Sequence, residues 1–250
     1  MSAEKKIYFA SDFHLGVPNY KDSLEREKKV VRWLNQILPT CKELYLMGDV
    51  FDFWFEWKHV VPKYYVRLLG KLAEFHDAGI PITFFTGNHD MWVFGYLEKE
   101  IGAKIIRKPI TKEFNEVKFY LAHGDGLGPG DYSYKVLKFF FTNKFCQWLL
   151  ARAHPNITLK LGYIWCKNSR CKHGEEEKVF LGEDKEFLIL YANEVLKKEH
   201  FDYFIFVHRH LPKTLPLSDK STYVNLGDWI TDFTYAEFDG KKIALKTFEG

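Results

Sequence analysis

The sequence predicts an α/β fold built around a buried, mainly parallel β-sheet. In the N-terminal half, short apolar runs alternate with stretches whose apolar residues recur at helical spacing, which is the pattern of β-α-β-α-β units. Motifs rich in Asp, Asn and His directly follow several of these runs, as expected at the carboxyl ends of parallel strands. A basic, aromatic stretch with helical spacing then interrupts the alternation at residues 126–178.

The elements are predicted as follows, in chain order. Strands at residues 7–10, 43–47 and 82–86 are separated by amphipathic helices at residues 24–38 and 62–78. Pro39 ends the first of these helices, and Gly79 ends the second. Further strands are predicted at residues 117–122, 203–207 and 223–225, before a C-terminal hairpin that turns at Asp239-Gly240.

The composition is that of a globular protein with a large core. Of the 250 residues, 46% are hydrophobic and 18% aromatic, and the length predicts a single domain over residues 1–250 with one insertion. A net charge of +3 gives no strong field for nucleic acid, so no nucleic-acid partner is expected. Four cysteines without a Cys-x-x-Cys pair predict no disulfide framework, and we find no signal peptide and no apolar run of ~18 residues. We expect a cytoplasmic protein that rests at most on the inner face of the cytoplasmic membrane.

Five motifs supply groups that coordinate metal ions. Two of them contain a pair of such residues spaced two apart, which are Asp12 with His14 and His208 with His210. The other three supply a carboxylate from Asp49, an amide from Asn88 next to His89, and a lone imidazole from His123. An extended backbone would place both members of each spaced pair on one face, and Gly48 and Gly87 would let the chain turn sharply toward a metal. Each motif alone is a weak signal, because the same residue types also cap and turn strand ends. Their joint occurrence predicts a site for two divalent cations ~3.5–4 Å apart, the usual device for attack on a phosphate ester or anhydride.

The interrupting stretch, residues 126–178, predicts a helical lid over this site. Apolar residues recur at helical spacing over residues 134–149 and again over 157–165. From residue 131 to residue 172 the chain carries eight Lys or Arg against one acidic residue. The consecutive aromatics Phe139, Phe140 and Phe141 cannot all face one core from a single helix. Some of them are expected to contact a ligand, a lipid surface or another chain, although core packing is the better reading for any single one.

The order of the five motifs resembles that of the calcineurin-like metallophosphoesterases over most of the chain, from Asp12 to His210. The resemblance implies a four-layer α-β-β-α sandwich of two mixed sheets that carries a helical insertion as a lid. It also implies the ligand sets: Asp12, His14 and His210 for one metal, Asn88, His123 and His208 for the other, and Asp49 bridging both. Such mixed imidazole, carboxylate and amide coordination without thiolate suits Mn²⁺, with Fe or Zn²⁺ as alternatives.

The same resemblance implies a catalytic role for His89. In the family, a His beside the ligating Asn stabilises the phosphoryl transition state or protonates the leaving oxygen. Asp90 or Asp125 could orient the imidazoles from outside the coordination sphere. One departure is Val207, which stands where the last motif of the family usually has Gly. We expect a small backbone change there and retained ligands.

Three segments narrow the resemblance to the UDP-2,3-diacylglucosamine pyrophosphatases of lipid A synthesis: Gly48-Asp-Val-Phe-Asp-Phe-Trp54, Asp131-Tyr-Ser-Tyr134 and Asn168-Ser169-Arg170. These enzymes cleave UDP-2,3-diacylglucosamine to UMP and 2,3-diacylglucosamine 1-phosphate, and their helical insertion holds the acyl chains. The resemblance implies substrate contacts from Asp131, Tyr134, Phe141, Trp148, Lys167, Asn168 and Arg170. An apolar cleft for the acyl chains would be lined by Phe139, Phe140, Phe141, Phe145, Trp148 and Leu149. Many of these enzymes carry Arg where this chain has His89, and His also occurs in a divergent branch.

Two other functions stay open at this point. A phosphoesterase of the same fold could act on a soluble nucleotide or phosphodiester, which an open, polar cleft would favour. A non-catalytic scaffold could instead bind a protein through the helical stretch, but all seven ligands are present. We expect a hydrolase whose substrate is a lipid-linked nucleotide sugar, with peripheral contact to a membrane surface and no obligate protein partner.

Overall fold

A computed structural model of the chain describes residues 4–129, 132–173 and 179–250, except for the side chains of residues 133 and 167–173. The strands are β1 (Lys6–Ala10), β2 (Cys41–Leu46), β3 (Ile82–Phe85), β4 (Lys104–Ile106), β5 (Ile110–Phe114), β6 (Val117–Leu121), β7 (Tyr203–Phe206), β8 (Lys213–Ser218), β9 (Ser221–Asn225), β10 (Thr234–Phe238) and β11 (Ile243–Thr247). The helices are α1 (Tyr20–Ile37), α2 (Val66–Asp77), α3 (Tyr96–Ile101), α4 (Tyr132–Thr142), α5 (Lys144–Leu150), α6 (Pro155–His173) and α7 (Phe187–Leu196). All strands and helices predicted from periodicity are present, whereas β4, β5, β8, α3 and α7 were not predicted.

The strands form two mixed sheets and not the single, mainly parallel sheet that periodicity predicted. The first sheet has the order β11-β10-β1-β2-β3-β4, in which β1 to β4 are parallel, and β10 pairs antiparallel with both β1 and β11. The second has the order β5-β6-β7-β9-β8, in which β6, β7 and β9 are parallel between antiparallel edge strands. Periodicity identifies a strand but not its partners, so the division into two sheets was not predictable from it.

The two sheets pack face to face, and helices cover both outer faces. Between the sheets, the ring of Phe9 on β1 stacks on Tyr45 at 5.0 Å and on Phe119 of β6 at 6.1 Å. The outer face of the first sheet packs against α1, α2 and α3, with Trp33 fully buried in that layer. The outer face of the second sheet packs against α7 through residues such as Leu188. This is the four-layer α-β-β-α sandwich that the family resemblance implied, which confirms that prediction.

Local chemistry sets the helix ends. The Asn19 side chain accepts the N–H of Asp22 at 3.1 Å and so begins α1 at Tyr20, earlier than predicted. The chain enters α2 from Tyr65, which has a φ of 68° and therefore cannot continue a helix backward to residue 62. Pro39 lies in a 3₁₀ turn that ends α1, as predicted.

Helices α4, α5 and α6, here called the insertion helices, lie between β6 and α7 in chain order. The first predicted helical stretch is broken in two because the side chain of Asn143 accepts the N–H groups of Phe145 and Cys146, which starts a new helix. The aromatic residues of this stretch therefore lie on two separate helices, α4 and α5. No helix in the described ranges combines the length and the apolar character needed to cross a lipid bilayer.

Candidate metal centre

The residues predicted as metal ligands lie at the carboxyl ends of parallel strands in both sheets. In the first sheet, the loops after β1, β2 and β3 carry Asp12 with His14, Asp49, and Asn88. In the second sheet, the loops after β6 and β7 carry His123, and His208 with His210. Because the two sheets face each other, these edges meet, and all seven predicted side chains come together in one place.

The spaced pairs do not lie on extended backbone, contrary to the prediction. Asp12 and His14 have φ values of 52° and 42°, and His208 and His210 have 71° and 45°. Asp and His tolerate this left-handed region better than most residues. The loop is held in it by bonds to its neighbour, since the N–H of Asp12 donates to Gly48 O at 3.0 Å. The side chains of each pair converge because of this turn, which a spacing of two residues does not reveal.

The first cluster consists of Asp12, His14 and His210. His210 Nε2 lies 3.0 Å from Asp12 Oδ1 and 3.2 Å from His14 Nε2, and His14 Nε2 lies 3.6 Å from Asp12 Oδ1. Ligands held about 2.1 Å from one ion at tetrahedral or octahedral angles are separated by roughly 3–3.5 Å. Within the described part of the chain, no hydrogen bond satisfies either oxygen of the fully buried Asp12 carboxylate. A buried carboxylate requires a compensating charge, so these three groups fit a divalent cation.

The second cluster consists of Asp49, His123 and His208, with Asn88 beside them. His123 Nε2 lies 3.4 Å from Asp49 Oδ2 and 3.2 Å from Asn88 Oδ1. The candidate ligand atoms of the three charged or ionisable residues all lie within 4.8 Å of one another. His123 Nδ1 donates to Met47 O at 2.9 Å, which orients the ring so that Nε2 faces the cluster.

Asp49 lies between the two clusters. Its Oδ2 is 3.4 Å from His123 Nε2 and 3.8 Å from His14 Nε2, while its Oδ1 accepts the N–H of His89 at 2.9 Å. A Cβ atom on Gly87 would lie 2.1 Å from that Oδ1, so only glycine allows the loop after β3 to approach this closely. One carboxylate is thereby shared by both groups of ligands.

The pKa values of the ionisable groups in this buried centre are shifted in different directions. Burial alone would raise the pKa of Asp49, but the charges of His123 and other imidazoles hold it well below its usual range. Burial would likewise lower the pKa of His123, but the Asp49 carboxylate raises the pKa to about 10. Burial lowers the pKa of His14 and of His208 to about 4. Metal ligation requires unprotonated imidazole, so a cation in the second cluster would displace the proton that otherwise resides on His123.

Two buried carboxylates that the sequence analysis did not assign face the outer ring nitrogens of the first cluster. Asp52 Oδ1 lies 3.4 Å from His14 Nδ1, and Asp228 Oδ2 lies 3.7 Å from His210 Nδ1. Both carboxylates are fully buried. Such a partner fixes the orientation and raises the basicity of a metal-bound imidazole. Asp228 repeats, after β9, the Gly-Asp pattern that follows β2, and this signal could have identified it.

Asp90, which was predicted as one candidate to orient the imidazoles, is hydrogen-bonded to backbone instead. Its carboxylate accepts the N–H groups of Gly87 and Val50, each at 2.8 Å. Burial, and after it the charge of Asp49, raise the pKa of Asp90 to about 7. The side chain therefore joins the loop after β3 to the loop after β2, which holds the two ligand loops in register.

His89 lies at the edge of both clusters. Its Nδ1 is 2.9 Å from the carbonyl oxygen of Asp52, which can only accept, so Nδ1 carries a proton. The thiol of Cys166 on α6 donates to the same carbonyl at 3.1 Å. Burial would lower the pKa of His89, but the charge of Asp49 raises it to about 9. Its ring also lies near His14, with a centroid separation of 4.8 Å, and the site thus places a hydrogen-bond donor next to the ligands.

Tyr134 and Asp125 connect the insertion helices to the metal centre. The hydroxyl of Tyr134, which was predicted to contact substrate, donates to the Asp125 carboxylate, and Lys138 Nζ pairs with the same group. Asp125 had been the second candidate for orienting imidazoles, and its carboxylate is instead engaged by α4. The loop after β6 is in this way tied to the first insertion helix.

Other residues predicted to contact substrate fall in different places. Phe141 lines an apolar cavity, described below, whereas Trp148 is 51% exposed and stacks on Phe145 at a centroid separation of 5.9 Å. Asp131 and the side chains of Lys167, Asn168 and Arg170 lie outside the described residues. For all of these the substrate contact stays a prediction.

The apolar cavity has a volume of about 370 Å³ and lies between the insertion helices and the ligand loops. Phe53 and Trp92, from the loops that carry Asp49 and Asn88, form one wall. The helices supply the opposite wall, which includes Phe140, Phe141, Leu150, Leu161 and Trp165. Of the six residues predicted to line an apolar cleft, Phe140 and Phe141 do so, and Phe139, Phe145, Trp148 and Leu149 are exposed. Phe139 belongs to the same helix, α4, as the two lining residues, whereas Phe145, Trp148 and Leu149 belong to α5.

Val207 fits the site without a glycine. Its N–H donates to His123 O at 3.0 Å, its side chain is fully buried, and it is not among the residues with positive φ. The left-handed turn falls on His208 instead. Both histidines of the motif accordingly reach the centre, as expected.

Comparison with known proteins gives a consistent result. A family model described as calcineurin-like phosphoesterase matches residues 5–235. The chain is 38% identical, over 98% of each sequence, to a protein of Porphyromonas gingivalis named UDP-2,3-diacylglucosamine hydrolase. Proteins of the same name from Haemophilus influenzae and Proteus mirabilis are 26% and 25% identical. These alignments cover 90% and 96% of this chain and 91% and 98% of those relatives.

Proposed function

Because this chain belongs to the calcineurin-like phosphoesterase family, we propose that it is the hydrolase that cleaves UDP-2,3-diacylglucosamine to UMP and 2,3-diacylglucosamine 1-phosphate in lipid A biosynthesis. The observation that carries the proposal is the apolar cavity whose wall is built from the same loops as the metal ligands. A soluble nucleotide would have no use for such a cavity, whereas two acyl chains require one. Relatives named for this activity align over nearly the whole chain, which supports the same conclusion.

The two clusters would hold two divalent ions. Asp12, His14 and His210 would bind one ion, Asn88, His123 and His208 the other, and Asp49 would serve both. The donor set of imidazole, carboxylate and amide without thiolate favours Mn²⁺, with Fe or Zn²⁺ as alternatives. When bound, such ions supply Lewis acidity to the phosphoryl oxygens and to the attacking water.

His89 would act as the acid that assists departure of the leaving oxygen. The carbonyl of Asp52 holds the proton of Nδ1, which leaves the other ring nitrogen for the substrate. Cys166 bonds to the same carbonyl, so α6 helps to fix the position of the ring. His89 is itself buried, which shields this donor from bulk solvent.

Residues 126–178 would form the lid of a single domain that spans the chain. In this arrangement the cavity takes the acyl chains, and Phe141 contacts them directly. Asp131, Tyr134, Lys167, Asn168 and Arg170 would contact the sugar and its phosphate, while Trp148 would contact the lipid from the outer surface. The short contact between Tyr134 and Asp125 links the lid to the ligand loops, so lid position and metal centre are coupled.

The purified, Mn²⁺-loaded chain is expected to release UMP from UDP-2,3-diacylglucosamine, and Phe141→Ser is expected to lower kcat/KM on this substrate by roughly 10–100-fold. The factor corresponds to the ~1.5–3 kcal/mol that a buried phenylalanine contributes to an apolar contact. Release of UMP is followed by chromatography. Val136→Ser is the matched control, because Val136 lies on the same helix but is 59% exposed.

Cleavage of bis-p-nitrophenyl phosphate reports on the metal centre alone and should change little in Phe141→Ser. Equal losses on both substrates would show that Phe141 only stabilises the fold. Absence of UMP release by the wild-type chain, with good turnover of the small phosphodiester, would favour a soluble substrate instead.

We also propose that the outer surface of the insertion helices rests on an anionic membrane surface. Phe139, Phe145, Trp148 and Leu149 are all more than half exposed there. Between Tyr132 and Cys166 the chain has no acidic residue, so the Lys and Arg side chains of this surface have no acidic neighbours in sequence. Exposed aromatic residues among cations are the composition of helices that lie at the membrane interface.

Phe145→Ser combined with Trp148→Ser is expected to weaken binding to anionic phospholipid vesicles by roughly 10-fold or more, since the two rings would lose their place in the interface. Co-sedimentation with vesicles measures the effect. Tyr20→Ser with Tyr64→Ser is the matched control, because these tyrosines form an exposed pair of neighbouring rings outside the insertion helices. If both double variants bind vesicles as well as the wild type, the aromatic surface does not contact lipid.

A further inference from the structure

A second, smaller cleft is lined by Lys138 of α4, the helix that also contributes Phe140 and Phe141 to the apolar cavity. It has a volume of about 40 Å³, and its polar lining residues are Thr86, Arg107, Lys108, His123, Asp125 and Lys138. One of these, His123, is a candidate metal ligand, so the cleft borders the metal centre directly. Thr86, Arg107 and Lys108 have no part in the function proposed above.

The position of Arg107 and Lys108 follows from the sheet. They come directly after β4, which is the parallel neighbour of β3, and the N–H of Thr86 donates to Ile106 O at 2.9 Å. The end of β4 therefore lies at the same edge as the strand ends that carry the ligands, where α/β sheets bind their substrates. The guanidinium of Arg107 donates to the carbonyl of Val93, which directs it along the loop that follows β3.

The charge of the cleft is positive. Three of its lining side chains are cations, and its one carboxylate, Asp125, is paired with Lys138 and accepts a hydrogen bond from Tyr134. Arg107 and Lys108 are both exposed at the rim. A phosphate group is the chemical match, because guanidinium and ammonium groups form strong, charge-assisted hydrogen bonds to its oxygens.

The size of the cleft agrees with this ligand. About 40 Å³ accommodates a small polar group, since a cavity needs only ~10–15 Å³ to hold one water, but it does not enclose a nucleoside. Lys138 and Phe141 are three residues apart on α4 and so lie about one turn apart, yet one lines the basic cleft and the other the apolar cavity. A substrate with an anionic half and an apolar half would be oriented by these two sites across the metal centre.

We propose that this basic cleft binds the phosphate of a nucleoside 5′-monophosphate, the nucleotide half of the substrate, with Arg107 and Lys108 as the residues that hold it. The sugar and base extend over the exposed rim. The identity of the nucleotide rests on the proposed function, whereas the recognition of a phosphate monoester rests on the cleft alone.

The test is calorimetric titration of the full-length, Mn²⁺-loaded chain with UMP. Arg107→Ala and Lys108→Ala should each raise the Kd for UMP by roughly 5–10-fold, and the double variant by more, because each removes a charge-assisted contact. The KM for UDP-2,3-diacylglucosamine should rise by similar factors. Lys104→Ala is the matched control, since Lys104 is an exposed cation at the start of the same β4 strand. Uridine, which lacks the phosphate, should bind weakly and without difference among the variants.

The possible outcomes separate the two proposals. If UMP binds and the substitutions weaken it, but UDP-2,3-diacylglucosamine is not hydrolysed, the cleft assignment holds and the proposed function fails. If the substrate is hydrolysed but the double variant binds UMP like the wild type, the cleft assignment is wrong. If Lys104→Ala loses as much UMP affinity, the loss reflects general surface charge, and the cleft assignment is also wrong. Metal content is measured for every variant, and a variant that loses metal together with UMP would contradict a role confined to phosphate.

Discussion

Asp49→Ala is expected to abolish binding of both metal ions and to lower hydrolysis by about 10³-fold or more. Asp49 Oδ2 lies 3.4 Å from His123 Nε2 and 3.8 Å from His14 Nε2, so one carboxylate serves both clusters. Without it, each cluster would lack the carboxylate ligand that the two clusters share. Bound divalent ions contribute several kcal/mol of transition-state stabilisation, and each 1.36 kcal/mol is worth about tenfold in rate.

Elemental analysis after mild Mn²⁺ loading measures this effect directly. We expect about two ions per wild-type chain and close to none in the variant. Asp219→Ala, at an exposed aspartate far along the chain, controls for the loss of an acidic residue, and a thermal melt controls for folding. Wild-type turnover in Asp49→Ala would refute the assignment of this residue as the shared ligand.

His89→Ala is expected to keep both metal ions and to lower kcat by ~10²–10⁴, the range for a lost acid–base group. The ring bonds to the carbonyl of Asp52 and borders the clusters, but the seven other side chains account for both ligand sets. Activity and metal content must be measured on the same preparation. Asn88→Ala is the informative neighbour, because Asn88 Oδ1 lies 3.2 Å from His123 Nε2 and its loss should cost metal.

The position of His89 is compatible with two roles, a catalytic acid or a metal ligand, and the experiment distinguishes them. Its ring lies near His14 and Asp49, at a distance that would also permit a ligand. If His89→Ala loses metal in proportion to activity, the residue is a ligand and the acid must be sought elsewhere. A small change in kcat with full metal content would leave it only a packing role beside Cys166.

Several features of this protein were determined by local sequence. The alternation of apolar runs and amphipathic stretches predicted the central strands and helices, because side-chain periodicity is set by backbone geometry. The order of the Asp, Asn and His motifs predicted the family, which the match over residues 5–235 confirms. The glycine at position 87 marked a close approach of backbone and ligand, which the structure shows at Asp49.

Other features depend on contacts between distant parts of the chain. His14 and His210 are 196 residues apart in sequence and 3.2 Å apart in space, because two separate sheets bring their edges together. Asp52 reaches His14 because β2 pairs with β1, and Asp228 reaches His210 because β9 pairs with β7. Periodicity carries no information on which strands pair or which sheets stack, so neither the meeting of the ligands nor their outer partners could be derived from it.

The insertion helices also combine features set by local sequence with features set by tertiary contacts. Sequence predicted their basic and aromatic character, but the packing of these helices against Phe53 and Trp92 decides which aromatics line the cavity. Likewise, Arg107 and Lys108 have no motif of their own and gain their place beside the metal centre because β4 pairs with β3. The sequence determined the chemistry of the groups and the central strands and helices that carry them. Tertiary structure alone decided which groups meet, since a contact depends on strand pairing and packing across the whole chain and not on spacing within a segment.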